Sequence, residues 1–301
     1  MRRDKMNETP EIGSKTRTMA ILNRYRLSAK KSLGQNFLDD LSVLHGIVAA
    51  ADITEADDVI EIGPGIGALT EQIAKSAHQV LAFEIDSNLL PILAETLEQY
   101  HNVKVVNQDF LQANLPELIA ENFDGKHHLK IVANLPYYIT KPILMSILKG
   151  NVEYEAVVLM MQQEVAQRIC AKPDSHDYGA LSVITQYLDD AEIALEVSHK
   201  SFIPAPKVDS AVVKLTPRKA KKQVAYNEQV FFGFVHGCFM HRRKTLWNNL
   251  QGIFGKKPEI KEKIIVVLTE LKIKPTVRPQ GLTVDQFVEM TNAFHKAGLL
   301  G

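Results

Sequence analysis

The chain has 301 residues, with 35 basic and 35 acidic side chains and an apolar content of 46%. These values describe an ordinary soluble protein with enough apolar residues for one large or two smaller domains. The only two cysteines, Cys170 and Cys238, have no Cys or His nearby at metal-ligand spacing, so we expect neither a disulfide framework nor a metal site, and a reducing, cytoplasmic compartment. No apolar stretch approaches the length of a membrane span, and the first residues lack an apolar signal core.

Short apolar runs rich in β-branched residues alternate with helical patterns from residue 40 to about residue 200. This alternation predicts βαβ units and a parallel sheet. Two further runs have no helix between them and are predicted to pair antiparallel at one sheet edge. The sequence therefore predicts an α/β fold with a seven-stranded, mostly parallel sheet flanked by helices. The candidate strands are residues 59–63, 79–85, 103–108, 129–135, 155–161, 191–197 and 210–215.

The pattern changes near residue 217, where strand-like runs give way to helical periodicity in residues 227–250, 258–272 and 283–297. We therefore predict three parts: an N-terminal extension (1–30), a sheet domain (31–217) and a small all-helical domain (218–301).

Charge is distributed unevenly along the chain, although the total is zero. Residues 1–31 carry a net charge of +6, residues 32–199 carry −17 and residues 200–301 carry +11. The basic C-terminal region contains the cluster Arg242, Arg243 and Lys244, which we predict to contact a nucleic-acid phosphate backbone. The alternative is a set of solvated surface cations.

Three glycines, Gly63, Gly65 and Gly67, follow the first predicted strand and precede a helix. Glycine permits a sharp turn and a close approach of the backbone to a ligand. The spacing G-x-G-x-G differs from the G-x-G-x-x-G of dinucleotide-binding enzymes. A simple tight strand-helix connection is the alternative interpretation.

Two carboxylates stand where the next two strands end. Glu84 lies about 20 residues past the glycine turn, where an acid accepts hydrogen bonds from ribose hydroxyls. Asp109 is placed to accept from an adenine amine. Together with the glycines they indicate an adenosine-containing cofactor, and S-adenosylmethionine suits the glycine spacing better than NAD. For either acid alone, a helix N-cap or a solvated loop charge is the alternative.

The fourth strand ends in Asn134-Leu135-Pro136-Tyr137, which resembles the [DNS]-P-P-[YFW] tetrapeptide of methyltransferases that act on exocyclic amines. The Asn134 side-chain oxygen and the Leu135 carbonyl are expected to accept the amine hydrogens and localise the nitrogen lone pair, while Pro136 fixes the backbone. Tyr137 is expected to stack on the base. A proline-containing turn with two core tyrosines is the alternative, and we assign Tyr138 to packing.

Several motifs together resemble the ribosomal RNA adenine dimethyltransferase family, in particular its bacterial small-subunit members: KKSLGQNFLDD, EIGPGIGALT, NLPYYITKPIL, MMQQEVAQRI, YGALSV and SFIPAPKVDSAVVKL. The resemblance implies a Rossmann-like methyltransferase fold for residues 31–217 and an RNA-binding role for residues 218–301. It also implies that Phe202 contacts the second face of the target base. Cofactor contacts are implied for Asn36, Leu38, Gly63, Glu84, Asp109 and Asn134.

The resemblance implies an enzyme that transfers methyl groups from S-adenosylmethionine to two adjacent adenosines near the 3′ end of 16S rRNA, in the immature small ribosomal subunit. We expect a cytoplasmic monomer without a metal ion. One alternative is a methyltransferase of large-subunit rRNA of the macrolide-resistance type. Another is an assembly or transcription factor that keeps the fold without turnover.

Overall fold

The computed structural model describes residues 10–30, 33–218 and 223–301. The chain divides into two compact units. The sheet unit comprises the residues up to 166 and residues 192–216, and the helical unit comprises residues 167–191 and 217–301. The division predicted at residue 217 kept residues 167–191 with the sheet. They group with the C-terminal helices because Tyr187 packs on Phe231 and Phe232, with ring centroids 4.6 Å and 6.3 Å apart.

A seven-stranded sheet forms the centre of the fold, as predicted. Its strand order is β4-β3-β2-β5-β6-β9-β7, in which the pairs among β2 to β6 are parallel and β9 runs antiparallel to β6. The strands predicted to be neighbours at one edge, β7 and β9, are adjacent there. The strands are β1 (Phe37–Leu38), β2 (Asp57–Ile62), β3 (Gln79–Glu84), β4 (Val103–Asn107), β5 (His128–Asn134), β6 (Ala156–Gln162), β7 (Asp189–Val197), β8 (Phe202–Ile203) and β9 (Ser210–Pro217).

The central strands β2 and β6 are buried along almost their whole length, as expected for a parallel sheet covered on both faces. Helices connect the parallel strands, which makes each crossover a βαβ unit. The helices are α1 (Lys15–Arg24), α2 (Leu41–Ala51), α3 (Ala68–Ala74), α4 (Leu90–Thr96), α5 (Leu115–Asn122), α6 (Thr140–Lys149), α7 (Gln163–Ile169), α8 (Ala180–Leu188), α9 (Glu228–Cys238), α10 (Leu246–Phe254), α11 (Pro258–Glu270) and α12 (Val284–Lys296). No helix of the described residues combines the length and apolar character that crossing a membrane requires.

Strands β1 and β8 escaped the sequence analysis because two residues carry no periodicity. They pair antiparallel, with Phe37 opposite Ile203 and Leu38 opposite Phe202. Two hydrogen bonds extend this ribbon: the Asp39 amide donates to the Ser201 carbonyl (3.0 Å) and the Ser201 hydroxyl donates to Asp40 (2.9 Å). The ribbon joins two segments that lie more than 160 residues apart in the chain.

The described part of the N-terminal extension, residues 10–30, is integral to the sheet unit. Ser14 caps α1 by accepting from the Arg17 amide, and Ile12, Ile21 and Leu22 belong to the hydrophobic core. The Ile12 amide donates to the buried Glu71 carboxylate (2.7 Å). Residues 1–9 lie outside the described residues.

The helical unit has an aromatic core, in which Phe294 contacts Phe234 and Phe254 at centroid distances of 5.6 Å and 4.9 Å. The predicted helical stretch 227–250 forms two helices rather than one. Helix α10 begins anew after the turn because Thr245 accepts from the Asn248 amide as an N-cap. The basic residues 241–244 therefore lie in the turn between α9 and α10. Residues 219–222, near the start of the predicted helical domain, lie outside the described residues.

Candidate active site

A pocket opens where β2, β3 and β5 end, at the carboxyl edge of the sheet. In open α/β sheets this edge displays the ligand-binding groups. Nearly all sequence-predicted site residues of the sheet unit line this pocket: Asn36, Leu38, Gly63, Gly65, Glu84, Asp109, Asn134, Leu135, Pro136, Tyr137 and Phe202.

The glycine turn has the backbone conformation that its composition predicts. Gly63, Gly65 and Gly67 have φ angles of 74°, 61° and 92°, in the left-handed region where a Cβ is strained. A Cβ at Gly63 would meet no atom within 4 Å, whereas one at Gly67 would lie 3.1 Å from Leu97. Gly63 therefore faces open space at the pocket, while Gly67 is required for close packing of the start of α3 and does not line the pocket.

Glu84 is held by backbone amides at the end of β3. Its Oε2 accepts from the Gly65 amide (3.3 Å) and its Oε1 from the Asp86 amide (2.7 Å). The side chain is buried, and burial raises the pKa of Glu84 above its usual value although these amides oppose the rise. Each oxygen keeps a lone pair, so the carboxylate can still accept from ligand hydroxyls in the pocket.

Asp86, which the sequence analysis missed, anchors the N-terminal wall of the pocket. Lys30 Nζ and Gln35 Nε2 donate to its two carboxylate oxygens at 2.8 Å and 3.1 Å. Burial alone would raise the pKa of Asp86, but Lys30 and the other donors outweigh burial and lower it to about 2. The sequence feature that could have indicated Asp86 is an acid two residues after Glu84.

Asp109 lines the pocket and also acts as the N-cap that was considered as its alternative role. Its Oδ1 accepts from the Leu111 amide (3.0 Å) and its Oδ2 from Gln112 Nε2 (3.3 Å). These bonds fix the carboxylate at the end of β4. They leave an unused lone pair on each oxygen.

Asn134 ends β5 opposite Met160 of the neighbouring strand. Within the described part of the chain, its side-chain amide has no hydrogen-bond partner, although it lines the pocket. The Leu135 amide donates to the Met160 carbonyl (3.2 Å). Pro136 follows, and its own carbonyl accepts from the Ile139 amide (3.2 Å) in the turn that leads into α6.

The two tyrosines differ in their surroundings. Tyr137 is half-buried, and its hydroxyl lies 3.0 Å from the hydroxyl of the buried Ser210 on β9; burial raises the pKa of Tyr137. Tyr138 is 60% exposed although it also lines the pocket, so its assignment to packing was wrong. The turn after Pro136 points this ring toward solvent, near Gly34.

The β1–β8 ribbon brings together the residues that only the family resemblance indicated. Leu38 and Phe202 are register partners and both are buried, yet both reach the pocket wall. Asn36 is oriented by a hydrogen bond from its Nδ2 to the Gly34 carbonyl (3.1 Å). The ribbon explains why two distant motifs serve one site.

Glu61 lines the pocket and is another residue that the sequence analysis missed. It lies on β2 just before the glycine turn and is 1% exposed. Burial, with a smaller contribution from the Glu84 charge, raises the pKa of Glu61 to about 8 although Thr70 opposes the rise. Its Oε2 has no hydrogen-bond partner among the described residues. The sequence feature that could have indicated Glu61 is an acid inside an otherwise apolar strand.

These residues fit S-adenosylmethionine. The open space at Gly63 allows a ligand to approach the backbone, and Glu84 offers acceptors to ribose hydroxyls, as expected from the sequence. Glu61 adds a buried polar group without a protein partner, and a bound ligand can satisfy such a group. When bound, the cofactor supplies the methyl group that is transferred.

The predicted RNA-contacting residues belong to the helical unit and are exposed. Arg242 already has partners there, since its Nη2 donates to the carbonyls of His176 and Tyr178. It stabilises the loop that contains these carbonyls. Arg243 and Lys244 remain as the exposed side chains that are better suited to phosphate contact.

The chain is similar to known proteins over nearly its whole length. Residues 26–296 match the family model described as ribosomal RNA adenine dimethylase. The protein named ribosomal RNA small subunit methyltransferase A from Levilactobacillus brevis is 60% identical over 98% of this chain and 99% of its own length. Its namesake from Pediococcus pentosaceus is 56% identical over 98% and 99%.

Two solved structures share the fold and part of the sequence. A dimethyladenosine transferase from Plasmodium falciparum aligns with a TM-score of 0.73 and 26% identity, over 87% of this chain and 98% of its own. The 23S rRNA methyltransferase ErmE aligns with a TM-score of 0.65 and 27% identity, over 86% and 100%. The expectations of a Rossmann-like methyltransferase fold, of an enzyme and of S-adenosylmethionine as cofactor are thereby confirmed. The chain belongs to the ribosomal RNA adenine dimethylase family.

Proposed function

We propose that the protein dimethylates the exocyclic amines of two adjacent adenosines near the 3′ end of 16S rRNA, in the immature small subunit, as a cytoplasmic monomer. The observation that carries this proposal is the Asn134 amide, which lines the pocket without a protein partner at the carboxyl end of β5. The relatives named small subunit methyltransferase A, at 60% and 56% identity, support the small-subunit substrate.

The residues of the Asn134–Tyr137 segment account for how an adenine amine becomes nucleophilic. The lone pair of the adenine amine nitrogen is delocalised into the ring. It becomes localised on the nitrogen when acceptors hold both amine hydrogens. The Asn134 Oδ1 and the Leu135 carbonyl supply two acceptors, and Pro136 restricts the backbone between them and the turn. Tyr137, whose hydroxyl is anchored to Ser210, offers one ring face to the base, and Phe202 lies in the opposite ribbon wall.

Proton removal requires no dedicated base in this proposal. When bound, S-adenosylmethionine would supply the methyl group, and the methylated amine, which is an acidic ammonium, would release its surplus proton to water. The acceptors Asn134 and Leu135 therefore position and polarise the amine without changing their own protonation state. A second round follows the same sequence.

The helical unit is proposed to supply the phosphate contacts. Arg243 and Lys244 are exposed in the turn between α9 and α10, within the region of net charge +11. Binding of the small subunit should weaken steeply with salt, and Arg243→Gln/Lys244→Gln should flatten the slope by about one unit per lost phosphate contact. Arg242→Gln is compared with this double variant, because it removes a positive charge but also breaks the contacts to His176 and Tyr178.

The proposed function is tested with small subunits purified from a strain that lacks dimethylation. Wild-type protein and labelled S-adenosylmethionine should incorporate four methyl groups per subunit, and primer extension should stop at two adjacent adenosines near the 3′ end of 16S rRNA. Large subunits from the same strain are offered in parallel, and incorporation into their 23S rRNA instead would favour the large-subunit alternative, which the similarity to the 23S rRNA methyltransferase ErmE motivates. Tight subunit binding without incorporation would favour the non-catalytic assembly factor.

A further inference from the structure

A cluster of histidine and aspartate side chains lies at the amino end of the sheet, opposite the pocket. Asp58 is on β2, His78 directly precedes β3 and His127 directly precedes β5. One ligand atom from each of these three residues lies within 4.8 Å of the other two. Asp124 adds a carboxylate, with its Oδ1 3.0 Å from the Nδ1 of His127.

The two imidazoles form a parallel stack beside one buried carboxylate. The rings of His78 and His127 have centroids 3.7 Å apart and planes inclined by 10°. Their Nδ1 atoms lie 2.9 Å and 4.0 Å from the two oxygens of Asp58, whose side chain is only 3% exposed. Both rings therefore present a nitrogen ligand toward the same carboxylate.

The neighbouring residue shows how this edge of the sheet neutralises a buried acid with a side-chain cation. Asp57 is also buried, and Lys130 Nζ donates to it at 3.0 Å. Within the described ranges, no lysine or arginine forms an ion pair with Asp58.

A divalent metal ion would supply the cation that Asp58 lacks and would use the nitrogen lone pairs that the two imidazoles hold beside it. Zinc bonds to histidine nitrogen at about 2.0–2.1 Å and to carboxylate oxygen at about 2.0–2.2 Å, so tetrahedral ligand atoms are roughly 3.3 Å apart. One ligand atom from each of Asp58, His78 and His127 lies within 4.8 Å of the other two, so modest side-chain rotation would bring them to this separation. Two nitrogens and an oxygen favour Zn²⁺ or a similar transition ion over Mg²⁺ or Ca²⁺.

We propose that Asp58, His78 and His127 form a zinc-type metal site, with water completing the coordination; binding of the ion would replace the contact between His127 Nδ1 and Asp124. His78 and His127 are partly exposed, at 35% and 22%, so an ion can enter from solvent. The site joins the starts of three parallel strands and lies away from the pocket, so its role is to stabilise the sheet. The expectation of no metal rested on cysteine spacing, and these three ligands are dispersed along the chain.

The test is a titration of chelator-treated, full-length protein with Zn²⁺ by calorimetry, and with Co²⁺ by visible absorption. Wild-type protein should bind one ion, with the intense absorption of a low-symmetry Co²⁺ site, and its melting temperature should rise with Zn²⁺. His78→Asn and His127→Asn should each weaken binding at least about 10-fold.

His128→Asn is the matched control. This residue adjoins His127 but is 67% exposed and lies 3.6 Å from Glu155, so its replacement should leave affinity and stoichiometry unchanged. S-adenosylmethionine binding reports whether each variant is folded. Absence of saturable Zn²⁺ binding to wild-type protein, or equal affinity in a folded His78→Asn/His127→Asn variant, would overturn the proposal.

Discussion

The two ends of the central sheet use the same kinds of polar residue in opposite ways. At the amino end, buried acids have side-chain partners: Asp57 has Lys130, and Asp58 has two imidazoles. At the carboxyl end, Glu84 is held by backbone amides and keeps free lone pairs toward a pocket. A buried polar group with protein partners supports the fold, whereas one with unused capacity is available to a ligand.

The contrast predicts that removing a group with protein partners costs stability, whereas removing an unpaired group at the carboxyl end costs binding or turnover and does not lower stability. The two classes of effect, on stability and on binding or turnover, would contradict the contrast if they were exchanged. They would support it if each variant changed only the property that its class predicts.

The largest expected effect on stability is at Lys130. Lys130→Met leaves Asp57 buried without its cation, which should cost about 3–5 kcal/mol in the free energy of unfolding. Burial raises the pKa of Asp57, but Lys130 and Thr54 more than offset burial and lower it. The stability from this pair is therefore present above the unfolded-state pKa and is lost as pH falls through the lower folded-state value.

Urea denaturation at neutral pH measures the Lys130→Met effect, with Asp57→Asn/Lys130→Met as control. The double variant removes both charges and should recover part of the loss. A stability loss below about 1 kcal/mol in Lys130→Met would contradict the structural role assigned to this end.

Glu61→Gln tests the buried acid in the pocket wall. A folded-state pKa of about 8 exceeds the ordinary value of 4.5, so the native protein binds the extra proton and Glu61 lowers stability as pH rises from about 4.5 to 8. Glu61→Gln should therefore raise the melting temperature of the ligand-free protein at pH 8 more than at pH 5, by up to a few kcal/mol in free energy.

The control for this pH dependence is Glu121→Gln, an exposed acid on α5. It should shift both melting temperatures equally. A Glu61→Gln effect that is the same at both pH values would show that Glu61 is ionised when buried.

Glu84→Ala should weaken S-adenosylmethionine binding by about 1–3 kcal/mol, the range for a lost hydrogen bond to a charged buried partner. Calorimetry with purified protein measures this change, and circular dichroism reports folding. Asp190→Ala, at an exposed acid paired with Arg218, is the control that should leave affinity unchanged. Unchanged affinity in a folded Glu84→Ala variant would remove Glu84 from the cofactor site.

The smallest expected effect concerns the Tyr137 hydroxyl. Tyr137→Phe removes the bond to Ser210 and should cost about 0.5–1.5 kcal/mol of stability, while methyl transfer continues because the ring remains. Tyr137→Ala should also weaken substrate affinity by about 1–3 kcal/mol, because the stacking of the base on this ring is lost. Equal activities of the two variants would exclude stacking by this ring.

The sequence predicted the strands well because each is a run of β-branched residues with a flanking helix pattern. It also predicted the glycine turn, Glu84 and Asn134, since strand ends of a parallel sheet share one edge. It did not predict the β1–β8 ribbon, because a two-residue strand has no period and its partner is distant in the chain. Glu61 and the His78–His127 stack were missed for a related reason: their importance arises from burial and proximity.

Asn134→Ala tests the central claim most directly, because it changes a side-chain amide that lines the pocket without a protein partner among the described residues. Methyl incorporation into undermethylated small subunits should fall about 100-fold or more, as for other lost transition-state hydrogen bonds. Unfolding and salt-dependent subunit binding should stay at wild-type values, and Tyr138→Phe at the exposed neighbouring ring should methylate normally. Wild-type incorporation by a folded Asn134→Ala variant would contradict the amine-polarising role and make the segment a structural turn.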